Sequence, residues 1–525
     1  MLLIKEAGLE NLHSILGCKL ENSAAILNRN LENSLKLSQK HFDIRTKAIE
    51  AIRQLSPNEK ATWSTHLDEI AEIEGELKSF LDPESKDLKA LQEDALSQLS
   101  FQTNDLRCLN YIPHALSLVA IFKIWIVPGL AVLTPLIAWI LPYIFLRFLY
   151  NLPISQEQYN EILGMFLAGA PIQMGPPGII PPRPPPQPFN MRSLVQYAFM
   201  AFSFAQSLIQ PIQNALHLNK IDSKLIENGT KVAKLKHHYD FFVGEFKRLN
   251  LQHTFRESLE IIGDDARTAV HLLIEQPERV KIALRDLSEL EVLWRLVWSP
   301  ILNSAQVITK GDYPMMMATN MVDIALGDSA VSSSIVLNNL EHHAALTGPN
   351  GGGKSSFMRA VLQCVLISHA YGLAPADSLV VRRFSWISSG LRLQDRPGDL
   401  SLFEAEVFFA SEILARSDGI GLVLYDELFH STNPPDGIRT AEVFLKQLWN
   451  KPTIVSIVST HVFDLVESAP KVVKKICCNA AEVGGRIAFS YKVVPGISKI
   501  SSVTEIWNRF GLELRGKSRF ENGGR

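Results

Sequence analysis

The residues with the most recognisable chemistry form a glycine-rich run that ends in lysine and serine. Residues 346–357 read LTGPNGGGKSSF and satisfy the whole G-x-x-x-x-G-K-[ST] phosphate-loop pattern. In that pattern the glycines let successive backbone N–H groups turn toward phosphates, and the N-terminus of the following helix adds its positive dipole end. The run predicts an ATP or GTP site. The residues predicted to bind the nucleotide are Gly348, Pro349, Asn350, Gly351, Gly352, Gly353, Lys354, Ser355 and Ser356.

Two acids and a histidine are candidates for the rest of the chemistry of a nucleoside triphosphatase. Lys354 is expected to reach the β- and γ-phosphates, and Ser355 offers a hydroxyl to Mg²⁺. Asp426 and Glu427 follow an apolar run, where the aspartate can hold Mg²⁺ and the glutamate can orient or deprotonate water. His461 follows another apolar run and can sense the γ-phosphate, although alone it would be an ordinary histidine. We therefore predict that the catalytic residues are Lys354, Glu427 and His461. The predicted Mg²⁺ ligands are Ser355 and Asp426.

These residues need an α/β fold to position them, because the carboxyl ends of parallel strands meet at one edge of a sheet. Residues 344–346 read as the end of a buried strand, and residues 357–370 as a helix without Gly or Pro. Residues 422–425 and 453–458 are short apolar runs typical of buried parallel strands. Residues 480–494 predict a hairpin that turns at a Gly-Gly pair.

The N-terminal part of the chain is predicted to be helical. Residues 20–106 are polar, with apolar residues at helical spacing, and the same periodicity returns over residues 221–302. The Ser-Pro-Asn-Glu run at 56–59 is a helix-start signal, since serine can cap and glutamate can reach back to the cap N–H. This helix is expected to end at Leu81, before the Asp-Pro pair at 82–83.

The composition changes abruptly between residues 115 and 150. Lys123 and Arg147 are the only charged residues there, and residues 129–146 are eighteen uncharged, mostly apolar residues. This length is at the threshold for a membrane span. A Pro-Gly pair at 128–129 and two later prolines favour a helical hairpin or re-entrant element as much as a straight span. A hairpin buried in a protein core is the alternative.

A polyproline stretch and a second uncharged run follow. Residues 175–186 read GPPGIIPPRPPP, which predicts a stiff linker first and a ligand for an SH3- or WW-type partner second. Residues 193–218 are interrupted by glutamines and, taken alone, predict an amphipathic helix. Two uncharged runs in one chain leave membrane insertion and burial as equal interpretations.

The overall charge neither supports nor excludes nucleic acid as a partner. The 525-residue chain has Lys+Arg 52 against Asp+Glu 54, so DNA contact would need a local basic patch. The best candidate patch is explained more simply as a solvated helix face. Its residues are Lys231, Lys234, Lys236, His237, His238, Lys247 and Arg248.

Cysteine usage and the N-terminus predict the compartment. The five cysteines form no C-x-x-C pair, which suits a reducing environment. Glu6 comes too early for a signal peptide. We expect an intracellular protein, cytoplasmic or nuclear, with membrane association through residues 115–150 as a further option.

Five ordered motifs resemble those of the ATPase domain of the MutS mismatch-repair family. With the family's patterns in brackets, they are residues 347–356 (TGPNxxGKS[ST]), 399–406 (DLxxGxSTFxxE), 426–437 (DE[IL]GRGTSxxDG), 460–465 (THxxEL) and 495–499 (a Gly-x-x-Ser-Lys turn). In the second motif, the signature segment, Ser401, Phe403 and Glu406 are in register. Residues 287–293 also resemble the helix that joins the family's lever helices to its ATPase.

The resemblance implies an α/β P-loop NTPase domain of the ABC type, preceded by a mostly α-helical lever/core region that the apolar hairpin interrupts. It implies ATP and Mg²⁺ as cofactors. It also implies a head-to-tail homodimer or heterodimer, in which Ser401 of one subunit touches the γ-phosphate bound by the other. Slow hydrolysis would reset a clamp. The implied domains are 1–111 and 219–305 (helical lever/core), 112–218 (apolar insert) and 306–525 (ATPase).

The chain departs from the family in the loop after Glu427, where Phe429-His430-Ser431 replaces Gly-Arg-Gly. No N-terminal mismatch-reading domain is recognised, and residues 332–340 offer no counterpart of the aromatic that stacks on adenine. The leading hypothesis is a MutS-family ATPase that acts as a switch on mismatched or otherwise distorted DNA. Its rival is a membrane-tethered MutS-like ATPase without mismatch recognition. An ABC ATPase of the chromosome-maintenance group is disfavoured, because Ser401 is not followed by Gly-Gly-Gln.

Overall fold

The computed structural model describes residues 2–167, 191–251, 259, 265–311, 313–391, 401–483 and 486–500. Three of the sequence-based expectations lie outside these residues. They are the polyproline stretch at 175–186, the start of the signature segment at 399–400, and the glycine turn at 484–485.

Helices dominate the N-terminal part of the described chain, and helices alternate with strands in the C-terminal part. The α-helices are Leu2–Glu6 (α1), Leu12–Ile15 (α2), Ser23–Glu32 (α3), Gln39–Arg53 (α4), Pro57–Leu81 (α5), Lys86–Gln98 (α6), Ala115–Ile121 (α7), Val127–Ile144 (α8), Gln156–Leu167 (α9), Met191–Arg248 (α10), Ala266–Glu275 (α11), Pro277–Val297 (α12), Lys354–Tyr371 (α13), Leu402–Ala415 (α14), Pro434–Leu448 (α15) and Phe463–Glu467 (α16). The strands are Asn303–Ile308 (β1), Met316–Met321 (β2), Ser333–Leu337 (β3), His343–Thr347 (β4), Leu373–Ala374 (β5), Ser378–Arg382 (β6), Trp386–Gly390 (β7), Gly421–Tyr425 (β8), Ile454–Ser459 (β9), Val473–Val483 (β10) and Arg486–Pro495 (β11).

The predicted start and end of α5 are confirmed. The Ser56 backbone N–H donates to Glu59 Oε2 at 2.8 Å, and the Glu59 N–H donates back to Ser56 Oγ at 3.4 Å. This reciprocal pair satisfies two of the N–H groups that a helix start leaves without a partner. The helix ends at Leu81, directly before the Asp-Pro pair.

The chain falls into two compact units. Unit 1 comprises residues 1–71, 244–254 and 284–525, and unit 2 comprises residues 72–243 and 255–283. The four domains proposed from the sequence stay a prediction.

In unit 1 the N-terminal helices pack on α13, the helix that follows the phosphate loop. Gln363, fully buried in α13, donates to the Ala7 carbonyl at 2.8 Å. Arg45 of α4 lies over the ring of Tyr371 and donates to the Ala370 carbonyl at 2.8 Å. Buried Glu291 of α12 accepts the N–H groups of residues 19 and 20. These buried polar contacts tie the first 50 or so residues to the α/β part of the unit.

A six-stranded sheet positions the phosphate loop. Its strand order is β11-β10-β4-β9-β8-β7, and every neighbouring pair is parallel except the β10–β11 hairpin. All residues of β4, β8 and β9 are buried, as expected for central parallel strands. A second sheet, of order β3-β2-β6-β1-β5, mixes parallel and antiparallel pairs. The predicted strands at 344–346, 422–425 and 453–458 are therefore confirmed.

In unit 2, residues 115–149 form one continuous helical stretch, which we call the apolar segment. The break expected at Pro128-Gly129 is wrong, because the backbone stays helical from α7 through α8. Turns of π-helix at Phe122–Ile126 and Phe145–Leu149 lie near Pro128 and Pro142. Such wider turns accommodate proline within a helix without ending it.

The apolar segment is largely exposed. Ala115–Pro135, 21 residues with mean hydropathy 2.2, is long and apolar enough to cross a bilayer, and only 17% of its most apolar window is buried. A core helix of a soluble protein passes the same test of length and composition, but it would be mostly buried. The large apolar side chains exposed here include Leu118, Ile121, Phe122, Trp125, Ile126, Val127, Leu130, Leu133, Ile137, Ile140, Phe145 and Phe148.

The second uncharged run belongs to the long helix α10, which continues through Pro211 without ending. Its apolar residues exposed in this run include Val195, Phe199, Phe202, Phe204, Ile209, Ile212 and Leu216. Farther along α10, members of the candidate basic patch pair with acids. Lys231 lies 3.2 Å from Glu76 and 3.0 Å from Glu227, and Lys236 lies 2.7 Å from Asp240.

Candidate functional site

The phosphate loop connects the buried strand β4 to α13, as its sequence predicts. Gly348, Gly351 and Gly353 have φ values of 142°, 80° and 98°. Side chains rarely adopt these angles, so the loop conformation depends on glycine. A Cβ placed on Gly348 would also lie 3.0 Å from the Cβ of Cys478 on β10. The loop is therefore shaped by backbone geometry and by its close approach to the neighbouring strand.

Lys354 is buried at the first position of α13. Its Nζ donates to the carbonyls of Gly348 at 3.0 Å and Pro349 at 3.3 Å, and to Asn350 Oδ1 at 3.1 Å. Burial lowers the pKa of Lys354 from its ordinary value, and the carboxylates of Glu427 and Asp426 oppose that shift. Because its recorded hydrogen-bond partners are neutral oxygens, a buried ammonium in this position favours an anionic ligand.

Asp426, directly after β8, joins the loop to the next strand. Ser355 Oγ donates to Asp426 Oδ2, and Ser459 Oγ at the end of β9 donates to Oδ1. A serine hydroxyl beside a carboxylate at a helix N-terminus is the oxygen-rich arrangement that Mg²⁺ prefers. The structure thus brings the two predicted Mg²⁺ ligands into direct contact.

Glu427 and His461 face each other at the ends of β8 and β9. His461 Nε2 lies 3.5 Å from Glu427 Oε1. The hydrogen bond from His461 lowers the pKa of Glu427, and burial of the carboxyl opposes that shift. Glu427 also adopts a left-handed backbone, with φ 50°, and its N–H donates to Ser459 Oγ at 2.9 Å. The carboxylate is therefore ionised and held beside the predicted Mg²⁺ ligands.

Ser401 occupies the N-cap of α14. Its Oγ accepts the Glu404 N–H at 3.3 Å, and Glu404 Oε2 accepts the Ser401 N–H at 2.9 Å, which makes a capping box. Among the described residues, the recorded hydrogen bonds of Ser401 stay within the first turn of α14. The structure does not join Ser401 to the cluster of Lys354, Asp426 and Glu427 within one chain.

Sequence reasoning missed two residues of this neighbourhood. Ser459 contacts both Asp426 and Glu427, and its only sequence signal is that it ends β9 just before the Thr-His pair. The ring of Tyr491 on β11 lies beside Gly353, since a Cβ on that glycine would be 3.5 Å from Tyr491 Cδ1. Tyr491 is 48% exposed and offers an aromatic face next to the phosphate loop. Tyr491 lies far along the chain from residues 332–340, where the family pattern places its aromatic.

The residues present fit ATP and Mg²⁺. The loop supplies backbone N–H groups, a helix N-terminus and a buried ammonium, which together suit phosphates. Ser355 and Asp426 supply hard oxygen atoms suited to Mg²⁺. Glu427 supplies an ionised carboxylate next to both.

Residues 344–512 match the family model of MutS domain V, which is the ATPase domain of MutS proteins. The match begins within β4 and contains every site residue discussed above. The family resemblance seen in the five sequence motifs is therefore confirmed for this part of the chain.

Proposed function

We propose that this chain, a MutS-family protein whose ATPase domain spans residues 344–512, is a nucleotide-driven switch that hydrolyses ATP with Mg²⁺. The observation that carries the proposal is the convergence of three strand ends. The residues after β4, β8 and β9 supply a buried lysine, a carboxylate bonded to the loop serine, and a second carboxylate paired with a histidine. This is the set of groups that phosphoryl transfer to water requires.

Each residue has a separate role in this proposal. Lys354 neutralises phosphate charge, and Ser355 and Asp426 would hold Mg²⁺, which when bound stabilises the charge that develops on the phosphate oxygens. Glu427 accepts a proton from the attacking water or orients it. His461 holds the Glu427 carboxylate in place and keeps it ionised. Tyr491 is proposed as the aromatic neighbour of the adenine ring of ATP.

We further propose that Ser401 acts in the site of a second subunit. Its position at the exposed start of α14, bonded only within its own helix turn among the described residues, leaves it available to another copy. A mixture of Lys354→Ala and Ser401→Ala chains tests this proposal. In the mixed dimer both lesions fall in one site, and the other site stays intact.

Mixing the two inactive full-length variants is therefore expected to restore part of the ATPase activity. Subunit exchange is verified by co-purification of differently tagged chains. If exchange occurs and activity stays flat at every mixing ratio, Ser401 serves its own subunit or none.

DNA is the proposed partner of the switch, because MutS-family proteins bind DNA. The contacts of the basic patch on α10 bear on this proposal. Lys231 and Lys236 already pair with acids on helices of unit 2, and His238 is buried, whereas Lys234 is exposed. Paired cations attract phosphates less, so binding through this patch should be modest and should fall steeply with salt.

Charge reversal tests the DNA site. Lys234→Glu together with Lys247→Glu should weaken binding to matched, mismatched and branched duplexes alike, and should reduce the slope of log affinity against log salt by roughly 2. The matched control is Lys446→Glu, on α15 of the ATPase domain. Equal effects of the control and the test variants would exclude the α10 patch as the DNA site.

A second candidate function, a membrane-tethered ATPase switch, is favoured by the exposed apolar segment. Leu116, Ala120 and Ile124 form a buried stripe in its first part, but the consecutive residues 137–141 in α8 are all exposed, and they point in all directions around a helix that turns 100° per residue. A protein partner would cover one face, whereas lipid covers all faces. The 21 residues of Ala115–Pro135 span about 32 Å at 1.5 Å per residue, close to the ~30 Å hydrocarbon core of a bilayer.

Carbonate extraction of cells that express the full-length chain separates the two candidates. A membrane tether keeps the protein in the pellet at pH 11, because apolar insertion does not depend on charge. Complete release into the supernatant would contradict the tether and leave the DNA switch as the function. ATP hydrolysis can be measured on the protein from the pellet or from the supernatant, so the test of the ATPase site does not depend on this result.

A further inference from the structure

A buried carboxylate holds the loop at residues 427–433 against α14. Glu406, in the second turn of α14, is 1% exposed. It accepts a hydrogen bond from Ser431 Oγ at 2.5 Å, and its Oε1 lies 3.2 Å from His430 Nδ1. A buried carboxylate needs such partners, because it has lost its water. Both partners come from the loop, so the loop and the helix hold each other in place.

His430 extends this connection to the backbone of Glu427. The same Nδ1 lies 2.9 Å from the Glu427 carbonyl oxygen. The carbonyl oxygen can only accept, so Nδ1 carries the proton of this hydrogen bond, and the Glu406 carboxylate lies within ion-pair distance of the same nitrogen. One ring nitrogen therefore links the backbone of the proposed catalytic base to the helix that Ser401 caps.

Phe429 fixes the loop from the other side. It has φ 48°, a left-handed conformation that glycine adopts easily and other residues adopt only at an energetic cost. Its ring is buried at 3% exposure and contacts the rings of Tyr425 and Phe444, each at 6.0 Å, and Phe403 of α14 at 6.4 Å. Burial of an aromatic ring offsets that cost. The loop is therefore packed into the core through Phe429, which glycine at this position of the family's Gly-Arg-Gly pattern could not do.

Gly437 shows how closely the loop is packed. A Cβ on Gly437 in α15 would lie 2.6 Å from the Phe429 carbonyl oxygen, so only glycine fits there. The loop is thus confined by α14 on one side and α15 on the other. A shift of Glu427 that carries residues 429–431 with it must displace α14 or break the Glu406 contacts.

We propose that Glu406 and His430 are positioning residues that make the placement of Glu427 depend on the placement of α14, and therefore of Ser401, within the same subunit. This inference rests on the proposed ATPase function. It gives the Phe-His-Ser loop a role. The loop connects Glu427, the proposed base of one nucleotide site, to Ser401, which is proposed to act in the site of another subunit.

The test measures steady-state ATPase kinetics of His430→Ala, Glu406→Gln and the double variant in the full-length chain. Each single variant should lower kcat by about tenfold and leave KM within about twofold, because binding groups are untouched while the base is misplaced. The double variant should be no slower than the slower single variant, since either change breaks the same link. The matched control is Glu412→Gln, an exposed glutamate of the same helix, which should leave kcat unchanged.

A second readout does not depend on nucleotide or activity. Amide hydrogen exchange in α14 should become about tenfold faster in His430→Ala than in the parent protein, while the melting temperature changes by no more than a few degrees. His430→Asn, whose side-chain amide can donate from near the Nδ1 position, should restore part of both protection and kcat. His430 is exposed enough that this substitution does not empty a core, since its side chain is 56% accessible.

Additive losses in the double variant, a change in KM alone, or unaltered exchange in α14 would each overturn the proposed link. A parent protein that hydrolyses no ATP would instead defeat the proposed function, and the exchange experiment would still decide whether His430 holds α14.

Discussion

The nucleotide site buries polar side chains, whereas the apolar segment exposes apolar ones. At the site, groups that prefer water are withdrawn from it, and each has a matched partner: Lys354 binds three loop oxygens, and Asp426 accepts two serine hydroxyls. In the apolar segment, Trp125 and Phe148 are 69% and 71% exposed. The first region pairs its buried polar groups within the fold. The second is stable only in surroundings that cover it.

Of the substitutions that test this contrast, Lys354→Ala should have the largest effect on ATP hydrolysis. Loss of the buried ammonium should lower ATP hydrolysis by about 10³-fold, because this group neutralises phosphate charge directly. Fractionation between membrane and supernatant should not change. ATP hydrolysis and the distribution between membrane and supernatant after carbonate extraction are measured on the same preparations. Lys446→Ala, which changes an exposed lysine, is the control. A variant that keeps its turnover would remove Lys354 from the site.

Glu427→Gln should separate nucleotide binding from hydrolysis. The amide keeps the size of the side chain but cannot accept a proton, so turnover should fall by about 10²–10⁴-fold while ATP affinity stays within a few-fold. Equilibrium binding of a fluorescent ATP analogue and single-turnover hydrolysis measure the two quantities. Retained hydrolysis would show that another group is the base.

Leu133→Arg probes the apolar segment without touching the nucleotide site. At the centre of a membrane-spanning helix an arginine costs about 2.5–3.5 kcal/mol. At Leu133, two residues before the end of Ala115–Pro135, it costs less but still disfavours insertion, so a larger fraction of the full-length chain should be released by carbonate. ATP turnover should be unaffected. The matched control is Leu133→Ile, which keeps the apolar character. If arginine and isoleucine variants fractionate identically, the segment is covered by something other than lipid.

His461→Ala should give the smallest of these effects, seen mainly in the pH profile. The hydrogen bond from His461 lowers the pKa of Glu427, so Glu427 stays an ionised base down to a lower pH than a free glutamate. Removal of His461 lets the pKa of Glu427 rise, and the acid limb of kcat/KM should move to higher pH. A limb that stays in place would mean that Glu427 is not the titrating group, and Glu427→Gln, which cannot titrate, is the control.

Much of the nucleotide site could be predicted because its residues are close along the chain. The phosphate loop lies in one run, and Asp426 and Glu427 are adjacent, so their spacing is visible without a fold. The hydrogen-bond partners of these residues were harder to predict from the sequence. Ser459 reaches Asp426 only because β8 and β9 are neighbours, with Tyr425 opposite Val458. No spacing along the chain encodes which strands lie side by side.

The apolar segment likewise shows what could not be predicted from the sequence. Composition alone identified an apolar run with prolines, and the prolines left a helical hairpin or re-entrant element and a straight span as equal interpretations. In the tertiary structure the run is one continuous helix with a π-helical turn near Pro128 and another near Pro142, and most of its side chains are exposed.

The features that could be predicted from the sequence are therefore local: the phosphate loop, the acidic pair after β8, the capped start of α5, and the helical or extended character of the segments at 344–346, 357–370, 422–425 and 453–458. These features depend on side chains within a few residues of one another, where backbone geometry fixes the distances. Only the tertiary structure decided that Ser459 orders Asp426, that His430 reaches Glu406, and that Tyr491 lies beside Gly353. Such contacts join residues up to 138 positions apart, since they arise when separate strands and helices pack, and packing depends on the whole core.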